Sequence, residues 1–184
     1  FGSSQTLPVT EAAAKEVLSI PVHPQLSQED LESVAGAINE FMATNDTTIS
    51  DGQGDYEDWV EIHNPSASTA NLTGFYLSDD PDLLTKWQFP AGTTIAAGGF
   101  LIVWCDNETY AGEVHATFKL SATGEDLVLV AADGITVLDA VSFGAQTADV
   151  SIGRHPDGTG AFGVLEAASP GASNNSSTTA TPTA

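Results

Sequence analysis

Gly98-Gly99-Phe100-Leu101-Ile102-Val103-Trp104-Cys105-Asp106-Asn107 contains an apolar run, Phe100 to Cys105, as long as any in the chain. The run is bounded on both sides by turn-forming residues, and at ~20 residues a membrane helix would need to be far longer. Its β-branched and aromatic content fits a strand rather than a helix. Both faces are apolar, which predicts a central strand covered on both sides. Leu127 to Val130 reads the same way.

Working outward, similar short segments recur between turn signals. Strands are expected at Trp59–Asn64, Leu72–Ser78, Lys86–Phe89, Ala116–Leu120, Asp126–Ala131 and Val137–Phe143, with further candidates at Val150–Arg154 and Phe162–Leu165. Asn64-Pro65, Asp80-Pro81, Pro90-Ala91-Gly92, Asp133-Gly134, Pro156-Asp157-Gly158 and Pro170-Gly171 separate them. No helical pattern intervenes to serve as a crossover, so the fold expected is mainly β, an antiparallel sandwich or barrel. In the Trp59 strand, Trp59, Glu61 and His63 point one way and Val60 and Ile62 the other. Asp139, between Leu138 and Ala140, is expected to face solvent.

The preceding segment differs. Val9 to Leu18 is Ala-rich and helix-forming, Ile20-Pro21-Val22-His23-Pro24 breaks the helix, and Ser27-x-x-Asp30 opens another. Leu31, Val34, Ile38 and Phe41 follow at helical spacing, yet a strand over Ile38–Thr44 would spare the sheet an open edge. Strand is the reading adopted, with the helix ending near Gly36. Residues 1–37 thus form a helical segment, 38–172 a sandwich, and 173–184 (SNNSSTTATPTA) a flexible tail with too little apolar surface to fold.

Of 184 residues, 4 are Lys or Arg and 25 are Asp or Glu, a net charge of −21. Such a chain repels phosphate, which argues against nucleic-acid and anionic-membrane partners. The single cysteine, Cys105, excludes an internal disulfide and is expected in the core. There is no initiating Met, so a larger parent polypeptide is expected.

The candidate sites are acidic. Asp51, Asp55, Glu57 and Asp58, interrupted by Gly52 and Gly54, are candidates for wrapping Ca²⁺, a cation that takes oxygen ligands. The turn of Asp79, Asp80 and Asp82 has the same character. The competing reading is a pair of solvated loops using Asp for turn geometry. EF-hand spacing is absent, and no other cofactor is expected. His23, His63, His115 and His155 stand in neither H-x3-H nor HExxH, so zinc has no motif behind it. No G-x-S-x-G elbow is present. Glu57 and Asp58, as strand neighbours, would face opposite ways rather than across a cleft. No catalytic residue is expected. Arg154, alone among carboxylates, is expected to make an internal bidentate ion pair. Trp59, Trp87 and Trp104 read as packing residues, while Phe75, Tyr56, Tyr76 and Tyr110 are the candidates for a carbohydrate platform.

From Ile38 onward the chain resembles a bacterial lamin tail domain, an immunoglobulin-like β-sandwich. The resemblance is carried in order by INEFMATN (38–45), DGQGDYEDWVEIHNP (51–65), LTGFYLSDDPDLLTKWQFP (72–90) and AGTTIAAGGFLIVWCD (91–106). It continues in FKLSATGEDLVLVAADG (118–134), DVSIGRHPDGTG (149–160) and SPGASN (169–174). It implies a non-catalytic binding or tethering module with a protein or cell-surface partner, in an extracellular or cell-envelope setting. Lamin tails are also linked with DNA, a role the charge argues against here. Separately, LPVTEAAAKEVLSIPVHPQLSQEDLESV (7–34) resembles the end of a DegT-type sugar aminotransferase. That implies a pyridoxal-phosphate enzyme whose cofactor lysine would lie upstream of Phe1, and a cytoplasmic setting if the fusion is genuine.

Overall fold

The computed structural model describes residues 36–109, 112–174 and 177–178. The helices expected before Gly36 lie outside the described residues. So does Tyr110.

The chain forms β1 (Ala37–Met42), β2 (Asp58–His63), β3 (Ala70–Asn71), β4 (Tyr76–Ser78), β5 (Trp87–Gln88), β6 (Thr94–Ile95) and β7 (Phe100–Cys105). There follow β8 (His115–Ala116), β9 (Glu125–Val130), β10 (Val137–Phe143), β11 (Ile152–His155), β12 (Ala161–Leu165) and β13 (Ser177–Thr178). One sheet runs β13-β12-β11-β1-β2-β7-β8, a second runs β10-β9-β4-β5, and β3 pairs with β6. No helix occurs among the described residues.

The two larger sheets face each other across one apolar core. Ile38, Phe41, Val60, Ile62, Val103 and Cys105 enter it from the first sheet, and Leu77, Trp87, Leu127 and Leu129 from the second. Phe41 and Phe143 meet at 4.6 Å between ring centres, tying β1 to β10 across the layers. This is a mainly β, two-layer sandwich, consistent with an immunoglobulin-like arrangement.

Ile38 and Phe41 reach the core from one strand although they are three residues apart. A bulge between Ile38 and Glu40 makes this possible. It places Asn39 and Glu40 together on the outer face and returns Phe41 to the inner one.

Several expectations are corrected. Asp139 does not face solvent: a bulge between Val137 and Asp139 resets the alternation in β10. Its Oδ2 accepts from the Ile38 amide at 2.9 Å, and its Oδ1 from Arg154 Nη2 at 2.7 Å. Arg154 is internally paired but not bidentate, since Nε donates to Ile38 O and Nη1 to Gly160 O. The strand β7 is not fully covered. Val103 to Cys105 are buried but Phe100 to Ile102 are half-buried, because its outer neighbour β8 pairs only at Trp104 and Cys105. That pairing is parallel, against the all-antiparallel expectation.

The segment Leu72–Phe75 turns about Gly74, at φ +80°, instead of extending; the Phe75 amide donates to Leu72 O at 3.0 Å. Beyond Ala116, the expected strand contributes only a bridge from Lys119 to Asp106. Ser173 and Asn174, the first residues of the expected tail, are bound to the domain: Asn174 is buried and donates to Asn39 O and Arg154 O. Ser177 and Thr178 pair with β12.

Candidate functional site

The acidic residues of the first loop serve three different structural tasks. Asp51 is buried, and its Oδ1 accepts from the amides of Gln53 and Asp55, both at 2.9 Å. Burial pushes the Asp51 carboxyl up, but the amides of Asp55, Gln53 and Gly54 outweigh it and hold it below its ordinary value. Glu57 pairs with Lys119 at 2.9 Å. Asp58 accepts from the Leu120 amide at 3.2 Å, and desolvation raises its carboxyl to about 6. Asp55 is exposed. The second acidic turn is similarly divided: Asp79 pairs with Lys86 at 2.5 Å, Asp80 accepts from the Asp82 amide at 2.9 Å, and Asp82 is exposed.

Neither expected trio is brought together as a set of ligands. Among the described residues, the group of three whose donor atoms converge is Asp51, Glu113 and His115, all within 4.8 Å of one another. Glu113 Oε2 accepts from the Gly52 amide at 2.8 Å. His115 Nδ1 lies 2.6 Å from Asp106 Oδ2, and its Nε2 lies 3.7 Å from Glu113 Oε2. The side chains of His115 and Asp106 are each 1% exposed, while that of Glu113 is 38% exposed at the rim. Of this group the sequence offers Asp51 as a cation ligand and His115 only as one of four histidines without a zinc motif; Glu113 carries no reading of its own. Glu113-x-His115 carried a local signal, since residues two apart in an extended segment face the same side. The 60-odd residues separating it from Asp51 hid the rest.

A second polar cluster lies on the outer face of β1 and β2, beneath the segment 156–174. Glu61 Oε1 accepts from Asn39 Nδ2 at 2.9 Å and Oε2 from the Gly171 amide at 2.6 Å. Glu40 accepts from the Ser169 amide at 3.1 Å. Asp157 Oδ1 accepts from the Asn174 amide at 2.9 Å. Burial raises the carboxyls of Glu40 and Glu61, that of Glu61 to about 7 with Glu40 and Asp157 adding repulsion. Each acid is thus committed to holding the C-terminal segment against the sheet.

Trp59, Trp87 and Trp104 are buried. Trp87 is in the inter-sheet core, but Trp59 and Trp104 form an outer cluster with Met42, against Ile49 and Ala168. Of the proposed carbohydrate platform, Phe75 is 5% exposed and belongs to the core, Tyr76 is half-buried, and among the described residues Tyr56 is the exposed ring.

The model of the Lamin Tail Domain family matches residues 37–145, more than half of the chain. The chain belongs to the lamin tail domain family. No curated protein and no solved structure matches it. Lamin tail domains are non-enzymatic modules of the protein-interaction type. In this member the sheet extends beyond the matched residues, since β11 pairs with β1 and β12 with β11.

Proposed function

We propose that this lamin tail domain is a non-catalytic binding and tethering module of a larger bacterial protein, acting outside the cell or in its envelope on a protein partner with a cationic docking surface. Beyond family membership, one observation carries the choice of partner. The basic side chains of the described residues are Lys86, Lys119 and Arg154, and each is ion-paired, to Asp79, Glu57 and Asp139 respectively. The cations are thus engaged internally, while Asp55 and Asp82 are exposed and the whole chain carries −21. Such a surface favours cationic proteins and repels phosphate polymers. An extracellular setting suits it, because salt screens the self-repulsion of the acidic surface.

The test is photo-crosslinking in the native cell, with the probe at exposed Tyr56. The expected product is a covalent adduct to a protein whose isolated affinity weakens as salt rises. Tight binding of duplex DNA by the purified chain at low salt would refute the reading, as would an adduct to an acidic partner insensitive to salt.

A further inference from the structure

We propose that Asp51, Glu113 and His115 form a binding site for a single divalent cation of the zinc class, which staples the β1–β2 connection to the segment entering β8. The donor atoms of the three side chains already lie within 4.8 Å of one another. Ligands of a tetrahedral zinc stand at about 2.0–2.2 Å from the metal, and therefore roughly 3.4 Å apart. Closing the remaining gap needs a small movement, and the side chain free to make it is Glu113 at the rim.

The donor set selects the metal class. Calcium and magnesium prefer oxygen ligands throughout, whereas an imidazole nitrogen with two carboxylates suits zinc and its neighbours. The support for the histidine is also of the metal-site kind. Asp106 holds Nδ1 at 2.6 Å, the contact that orients a metal-ligating histidine, and leaves Nε2 as the ring nitrogen on the Glu113 side, 3.7 Å from Oε2. Asp106 is itself fixed, because its Oδ1 accepts from the Glu108 amide at 2.8 Å. The Gly52 amide donates to Glu113 Oε2 and keeps this mobile rim side chain turned towards the site, and a Cβ on residue 52 would stand 2.9 Å from Glu113 Oε2. A metal takes three protein ligands here and completes its shell with water. The buried histidine is the inner wall and Glu113 the entry.

The test is titration of the full chain, stripped with chelator, with Zn²⁺ followed by calorimetry and with Co²⁺ followed by visible absorption. The expected result is uptake of one ion, a Co²⁺ spectrum of a low-coordinate site with a nitrogen ligand, and a melting temperature raised by Zn²⁺ but not by equal Mg²⁺. Asp51→Asn and His115→Gln should abolish uptake. Asp106→Asn should weaken it about 10–100-fold, the usual effect of losing the group that orients a ligating histidine. Glu113→Gln, at a half-exposed position, keeps the fold and decides the matter if a buried variant does not. Zn²⁺ uptake unaffected by Glu113→Gln would overturn the proposal. So would equal stabilisation by Mg²⁺ and Ca²⁺, the mark of a diffuse counterion effect, or no uptake at all, the mark of an internal His–carboxylate ion pair only.

Discussion

Arg154 shows how much one side chain holds in this sandwich. Its guanidinium donates to Ile38 O, Gly160 O and Asp139 Oδ1, and its plane lies 4.2 Å from the centre of the Phe162 ring. It therefore joins β1, β10, β11 and the turn after β11. A lysine has the charge but not the planar fork, and cannot reach three acceptors in three directions. Arg154→Lys is expected to lower stability by about 2–3 kcal/mol, less than a fully buried pair loses because some solvent reaches this one. Urea unfolding with an unchanged slope is the measurement; a change below about 0.5 kcal/mol, the level of an ordinary surface substitution, would refute the role. That a lone arginine among carboxylates would pair internally was legible from composition. Its partner was not. Strict alternation assigned Asp139 to solvent, and the bulge at Val137–Asp139 that reverses the assignment leaves no mark in the residue types.

At the scale of elements, the same device explains the ambiguity at the start of the domain. The three-residue spacing of Ile38 and Phe41 imitates a helix because a bulge delays the return of Phe41 to the core. Strands with unbroken alternation or continuous apolar runs, such as β7 and β9, were read within a residue of their bounds. Pairs as short as β3–β6 were missed, since two residues give no periodicity. The converging donors of Asp51, Glu113 and His115 were equally hidden, because Asp51 and Glu113 come together only through long-range folding. Within 156–174 the strand candidate at Phe162–Leu165 is β12, while the turns at Pro156-Asp157-Gly158 and Pro170-Gly171 and the start of the expected tail bring Asp157 and Ser169–Asn174 over the outer face of β1 and β2. Asn174 is its anchor, accepting from Ser169 Oγ and donating to Asn39 O and Arg154 O. Asn174→Ala leaves buried carbonyls without their donor and is expected to cost about 1–3 kcal/mol. Hydrogen exchange should then show the Ser169 and Gly171 amides losing protection before those of β9; unchanged protection would refute the anchoring. Gly153 lies directly beneath this anchor, where a Cβ would stand 2.6 Å from Asn174 Nδ2 and 2.8 Å from Leu165 Cδ1. Gly153→Ala should therefore reproduce the effect of Asn174→Ala on exchange, by displacement rather than by loss of a bond.

For the whole molecule, the distribution of carboxyl groups sets how stability responds to pH. Glu61 is raised from 4.5 to about 7 and Asp58 from 3.8 to about 6, both chiefly by desolvation. A group raised in the folded state contributes stability that is complete below its unfolded pKa and is lost as pH climbs through the folded one. Stability should therefore decline between about pH 4.5 and 7, where the folded protein holds protons that the unfolded chain releases. The interval for Glu61 alone corresponds to roughly 3 kcal/mol. Asp149 opposes this at the acid end. Hydrogen bonds from Thr47 above all, and from Thr48 and the Asp46 amide, lower its carboxyl to about 2. Its contribution is present above its unfolded value of 3.8 and lost as pH falls towards 2. The two limbs place the maximum in mildly acid solution, and a thermal melt series from pH 2 to 8 should peak at about pH 4–5. Glu61→Gln removes the titrating group while keeping one carbonyl acceptor for Asn39 or Gly171. It should flatten the limb from pH 5 to 7 and leave the acid limb in place, whereas Asp149→Ala should do the reverse. A melting temperature that rises steadily from pH 5 to 8 in the parent chain would contradict the raised carboxyls and, with them, the burial of Glu61 beneath the C-terminal segment.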